Sequence, residues 1–152
     1  MENTEDLRFG TNLYQFDIRA AGFLINAKTQ EVVLSHEVDD SLTIPGGAVK
    51  LGETTEEAVV REFHEELGIS VEVVRLLAVI ENFWTENESV HQQIFFCYLV
   101  RSEDYEIKET PENTEPYWEK LSNVHHLKPD ALNELLETLP ISIKHIVSNE
   151  DF

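Results

Sequence analysis

A chain of 152 residues is long enough for one hydrophobic core and short for two, so a single domain over residues 1–152 is expected. Acids outnumber Lys and Arg by 30 to 11, a net charge of −19, which repels nucleic-acid backbones and anionic membranes. One cysteine, Cys97, excludes an intrachain disulfide framework, and no run is apolar enough to cross a membrane.

Taken in chain order, Arg19–Asn26 and Val32–His36 read as strands around a turn at Ala27–Gln30. Leu42–Ile44 leads into Pro45-Gly46-Gly47, a tight loop whose backbone carbonyls can approach a ligand or metal. Thr54–Leu67 contains no Gly or Pro. At helical spacing its Val59, Val60, Phe63 and Leu67 fall in one arc about 100° wide, with Arg61, Glu62, Glu65 and Glu66 in another. Gly68 suits the left-handed position after the helix. Ser70–Phe83 reads as a long, bent strand, Trp84–Ser89 as a polar loop, and Val90–Arg101 as a second long strand. Cys97 lies inside that strand and reads as a small core residue. Glu103–Pro116 is acidic and turn-prone, which predicts a mobile loop. Asp130–Thr138 reads as a short amphipathic helix with Asp130 as its N-cap. Strands on both sides of a helix predict an α/β sheet with helices packed on its faces.

The chemistry concentrates on the first helix. A charged helix face is ordinarily just solvated, and Arg61–Glu65 alone would be a surface pair. Here Glu62 and Glu66 stand one turn apart with Glu65 between them, and such like charges repel unless a cation joins them. Carboxylate oxygens are the preferred ligands of Mg²⁺ and Mn²⁺, which in turn hold phosphate oxygens. Glu53 and the glycine pair precede the cluster at fixed spacing.

Residues 47–69 resemble the Nudix (MutT-like) hydrolase signature, G-x5-E-x7-R-E-U-x-E-E-x-G-U with U a bulky apolar residue. Gly47, Glu53, Arg61, Glu62, Phe63, Glu65, Glu66, Gly68 and Ile69 take its fixed positions in turn. The resemblance implies a mixed-sheet α/β/α sandwich and hydrolysis of a phosphoanhydride bond. It places metal contacts on Glu62, Glu65, Glu66 and a carbonyl of the glycine loop, Gly46 or Gly47, with Arg61 and Glu53 orienting those ligands. The implied cofactor is Mg²⁺ or Mn²⁺. The general base is expected from the box or from a later loop, where Glu86, Glu88, Glu112 and Glu115 are candidates.

Arg19 either reaches a substrate phosphate or ends a strand in solvent. Trp84 either stacks a base or packs a strand end. His91 is followed by Gln92 and Gln93, which weakens a metal or base role there; His36, His125 and His126 read as ordinary loop or turn residues. Subfamily marks are missing. Residues 35–44 lack the Arg of coenzyme A hydrolases, and Asn82–Thr85 lacks the Pro or Tyr that marks ADP-ribose or dinucleoside polyphosphate hydrolases. A nucleoside triphosphate or nucleoside diphosphate-linked small molecule is therefore the expected substrate. A non-catalytic nucleotide sensor and an acidic interaction module are the alternatives. No nucleic-acid or membrane partner is expected, a homodimer is allowed, and the acidic N-terminal stretch makes cytoplasmic the expected location.

Overall fold

The computed structural model describes residues 5–112 and 114–150, excluding the side chain of residue 150. The strands are β1 (Arg8–Gly10), β2 (Tyr14–Asn26), β3 (Glu31–His36), β4 (Leu42–Thr43), β5 (Gly46–Ala48), β6 (Glu72–Glu86), β7 (Ser89–Arg101), β8 (Tyr117–Lys120) and β9 (Lys144–Glu150). Among the described residues, two helices, α1 (Thr55–Leu67) and α2 (Ala131–Glu137), accompany the strands with a 3-10 turn at Leu121–Asn123. The strands form one mixed sheet with path β4-β3-β2-β7-β6-β9; β1 and β5 pair with β2, and β8 pairs with β3. Contacts β2·β7 and β6·β9 are parallel, whereas β6·β7 is antiparallel.

Alternation along the central strands sends side chains to two cores. Ala21 and Phe23 join Ile80, Phe95 and Cys97 under Leu132 and Leu135 of α2. Ala20 and Leu24 join Tyr98 and Val100 under Val59, Phe63 and Leu67 of α1. This is the α/β/α sandwich expected from the sequence, with one helix on each face. Cys97 is a buried free thiol, pushed far up by that burial, as a core residue should be.

Helix α1 is closed at both ends. Thr54 Oγ1 accepts from the Glu57 amide while Glu57 reaches back to the Thr54 amide, a reciprocal capping box. Gly68 ends the helix at φ 67°, as its position predicts.

Several boundaries differ from the sequence expectation. Strand β2 begins at Tyr14, so Arg19 sits mid-strand rather than at its start. Trp84 lies within β6, because the β6–β7 connection is a two-residue turn at Asn87 and Glu88, both with positive φ. Gly46 and Gly47 belong to a short strand opposite Ala21 and Ala20 rather than to a loop. Asp130 has helical φ and ψ and makes no side-chain cap; Asn133 instead holds the Leu127 amide and carbonyl at 2.9 and 3.1 Å. The described residues of the acidic segment after β7 have no regular structure, yet the segment is docked. Lys108 N–H donates to Leu67 O at 2.8 Å, Thr110 Oγ1 to Glu66 O at 3.2 Å, and Trp118 Nε1 to Tyr105 O at 2.9 Å.

Candidate active site

Arg61 organises the box. Its Nε and Nη2 donate to Glu53 at 2.6 and 2.9 Å, a two-bond fork that fixes both side chains. Its Nη1 reaches Glu62 at 2.9 Å and Glu65 at 3.1 Å, and Nη2 also donates to Ala48 O at 3.1 Å. Glu53 in turn accepts from the Lys50 amide at 3.0 Å. Burial works to raise the Glu53 carboxyl, but the Arg61 fork and the Lys50 amide together hold it below the ordinary range. The same bonds to Glu53 raise Arg61 further above its usual value.

Glu62 and Glu66 are a different kind of carboxylate. Glu62 is raised by burial, with Arg61 opposing and Glu65 adding to the rise. Glu66 is 6% exposed and accepts from the Gly46 amide at 3.0 Å. Burial pushes it up to about 8, and Glu62 adds to this against the opposing pull of Arg19. Close packing explains the glycines. A Cβ on Gly47 would lie 2.4 Å from Glu62 Oε1, and one on Gly46 would lie 2.3 Å from Ala20 O. Gly47 is needed for the approach of β5 to the helix and Gly46 for its approach to β2, rather than for a turn.

Among the described residues, no three His, Cys, Asp or Glu side chains stand close enough to hold an ion in their present rotamers. The donor set still fits a hard cation. It is all oxygen, and burial disfavours the charged forms of Glu62 and Glu66 until a positive charge arrives. Glu62 and Glu65 currently face Arg61, so a small side-chain rotation is needed to bring them onto an ion.

Beside the box lies a cavity of about 690 Å³ on the α2 side of the sheet. Arg19 is on its wall, where Nη2 donates to Ile44 O at 3.2 Å, Nη1 pairs with Glu37 at 3.3 Å, and the guanidinium lies over the Phe95 ring. Its Nε is buried without a partner among the described residues. Trp84 is on the same wall, half-buried and stacked on His91 at 4.7 Å between ring centroids. Arg19 and Trp84 therefore share one cavity, with Arg19 coupled to the box through Glu66 and Glu62. Of the aromatic residues on β7, Phe95 alone among Phe95, Phe96 and Tyr98 faces this cavity; Tyr98 packs on the α1 side and bonds Thr55. Glu86 lines the cavity, whereas Glu88 sits in the β6–β7 turn.

Sequence reading missed Glu37, Asp17, Asn82 and Gln93 on the cavity wall. The available signal was polar residues at inward positions of otherwise apolar strands. Asp17 is raised by burial, against a Gln93 hydrogen bond and the charges of Arg8 and Arg19.

Residues 16–141 match the family described as NUDIX domain. The chain is 34% identical over 97 residues to Nudix hydrolase 6 of Arabidopsis thaliana, a stretch covering 60% of this chain and 34% of that protein. It is 35% identical over 85 residues to the 8-oxo-dGTP diphosphatase of Escherichia coli (strain K12), covering 53% and 64% of the two chains. The chain thus spans about a third of the length of the first relative and less than two thirds of the second. The fold is similar to that of a crystal structure of MutT protein from Bacillus halodurans, with TM-score 0.70, 18% identity and 89% and 90% of the chains covered. With its NUDIX match running through the sheet, α1 and α2, the chain belongs to the Nudix hydrolases, enzymes that generally use divalent metal ions.

Proposed function

We propose that this chain is a divalent-metal-dependent pyrophosphohydrolase that cleaves a phosphoanhydride bond in a nucleoside triphosphate or a nucleoside diphosphate-linked small molecule. The observation that carries this reading is the pair Glu62 and Glu66. Glu66 is buried and Glu62 partly buried one helical turn away, at a desolvation cost that only a function for their charge offsets. Relatives named as 8-oxo-dGTP diphosphatase and probable DHNTP pyrophosphohydrolase support phosphoanhydride cleavage, and the first of them supports the nucleotide class.

Glu62, Glu65, Glu66 and the Gly46 carbonyl would hold Mg²⁺ or Mn²⁺, which when bound neutralises the diphosphate and acidifies a bound water. Arg61 and Glu53 position the ligands by locking their rotamers. Arg19, a cavity cation whose charge acts on Glu62 and Glu66, is assigned to phosphate. Trp84, backed by His91, offers its ring to the base. A carboxylate of the box or of the cavity wall, where Glu37 and Glu86 stand, accepts the proton of the attacking water. The residue set belongs to one domain acting in the cytoplasm on a small molecule, with neither nucleic acid nor membrane as partner. Among the described residues, no helix is long and apolar enough to cross a membrane.

A phosphate-release assay over nucleoside triphosphates and diphosphate-linked nucleosides, with Mg²⁺ and with chelator, tests the reading. Release from at least one nucleotide, abolished by chelator, is expected. Activity confined to inorganic or sugar polyphosphates would overturn the nucleotide assignment.

A further inference from the structure

Three paired strands place three polar side chains in one row across the cavity. Register sets Asp17 of β2 beside Gln93 of β7, and Gln93 beside Asn82 of β6. Gln93 Nε2 donates to both oxygens of Asp17 at 3.2 Å, and Asn82 Nδ2 donates to Gln93 Oε1 at 3.4 Å. Asn82 is 7% exposed, yet its Oδ1 is buried and accepts nothing from the described residues.

The row has a direction. An ionised Asp17 only accepts, so Gln93 must turn its NH₂ toward it. That leaves Gln93 Oε1 facing Asn82, so Asn82 must present its own NH₂ to Gln93. Its carbonyl is then the free end, and a flip of either amide would set two acceptors or two donors face to face. Neighbouring rows bracket this end. Two residues along each strand, roughly 6.6 Å away, stand Trp84 and His91 on one side and Phe95 with Arg19 on the other. A buried acceptor with no donor costs free energy until a ligand supplies one.

We infer that Asn82 Oδ1 accepts a hydrogen bond from the exocyclic amine of the substrate's nucleobase, with Gln93 and Asp17 as positioning residues that fix the direction of its amide. This rests on the nucleotide reading above and narrows it. Trp84 is the next inward residue along β6 from Asn82 and lines the same cavity, so a base held at Trp84 lies beside the Asn82 row, and an amine on it completes the hydrogen bond that the fold leaves open. A keto group in its place would set carbonyl against carbonyl. The site therefore takes amino-bearing bases and rejects their deaminated counterparts.

The test compares bases that exchange an exocyclic amine for a keto group, with the adjacent ring nitrogen gaining a proton: ATP with ITP, and CTP with UTP, as kcat/KM in the native protein. A preference of at least about tenfold for the amino member of at least one pair is expected, because the wrong partner leaves a buried acceptor facing an acceptor. Asn82→Leu should bring that ratio to within about threefold of unity, with a Tm showing that the fold is kept. Gln93→Leu should do the same while leaving Asn82 in place, since its amide is then free to turn; a packing role for Gln93 would alter both members of a pair equally. Calorimetric binding of AMP against IMP, and of CMP against UMP, reads the same preference without turnover. Hydrolysis or binding with ratios near unity in the native protein overturns the inference and leaves the pyrophosphohydrolase reading standing. No hydrolysis of any nucleotide, together with a binding preference for amino bases, would sink that reading while supporting this one. Absence of both hydrolysis and binding overturns both.

Discussion

Gly47 and Glu62 are in such close contact that one methyl group would part them: a Cβ on Gly47 would fall 2.4 Å from Glu62 Oε1. Its neighbour differs in kind. A Cβ on Gly46 would meet the Ala20 carbonyl oxygen at 2.3 Å and the Ala21 Cα at 2.5 Å, which are backbone. A carboxylate tip can swing away, whereas a strand cannot. Gly47→Ala should therefore fold with a Tm within a few degrees of native and lose about a hundredfold in kcat, since small misplacement of a reacting constellation costs that much. Gly46→Ala should lower Tm strongly, because overpacking against rigid backbone strains the β2–β5 pairing. Thermal melts and initial rates on both variants check the contrast; equal melting losses would contradict it.

Arg61 bonds Glu53, Glu62, Glu65 and Ala48 O at once. Arg61→Lys keeps the charge and loses the planar fork, so ligand orientation is lost while the local charge balance is kept. Metal affinity, read by titrating Mn²⁺ or Mg²⁺ against Tm or activity, should weaken about 10- to 100-fold. Unchanged metal affinity would reduce Arg61 to a surface ion-pair residue.

With metal chelated, Glu66 makes stability fall as pH rises. Its folded value is pushed up from 4.5 to about 8, so between those pH values the native state keeps a proton that the unfolded chain releases. Native binds more protons than unfolded there, and the slope of stability against pH is negative; below 4.5 the penalty is absent, and above 8 it is complete. The cost is on the order of a few kcal/mol, or several degrees in Tm. Glu66→Gln lacks this component. The Tm difference between Glu66→Gln and native protein in chelator should widen from pH 5 to pH 8; a constant difference would show that Glu66 titrates normally.

Trp84 and His91 face each other across β6 and β7 with rings 15° from parallel, leaving a flat stack on the cavity wall. A stacking ring contributes the same binding to ground and transition states. Trp84→Ala should raise KM several-fold to tenfold and change kcat by less than about threefold. An unchanged KM would place Trp84 among the packing residues.

Much of this site is local in the chain, which is why it was legible. Residues 53–68 lie on one capped helix and its approach, and helical spacing alone places Glu62 beside Glu66 and Arg61 beside Glu65. The cavity is different, because its wall is made by pairing between β2, β6 and β7. No local pattern brings Asp17 to Gln93, 76 residues away, or fixes the parallel register that does so. Strand β9, KHIVSNE, is polar and pairs in parallel with β6, so it carried no alternating apolar signal. The β6–β7 turn was read too long because its two positive-φ residues are Asn87 and Glu88, without the glycine that ordinarily marks such a turn. The short turn leaves Trp84 inside β6 rather than in a loop.

The most direct measurement is nucleotide hydrolysis by native protein and Glu62→Gln, each with Mg²⁺ and with chelator, alongside Tm. The substitution keeps the shape of Glu62 and removes its charge from a pair that repels when no cation is bound. Native protein should hydrolyse at least one nucleotide only with Mg²⁺, and Glu62→Gln should turn over at least about a hundredfold more slowly. Its Tm in chelator should equal or exceed that of native protein, and the rise in Tm on adding Mg²⁺ should be smaller. Near-native turnover in Glu62→Gln, or native hydrolysis that persists in chelator, would contradict the account.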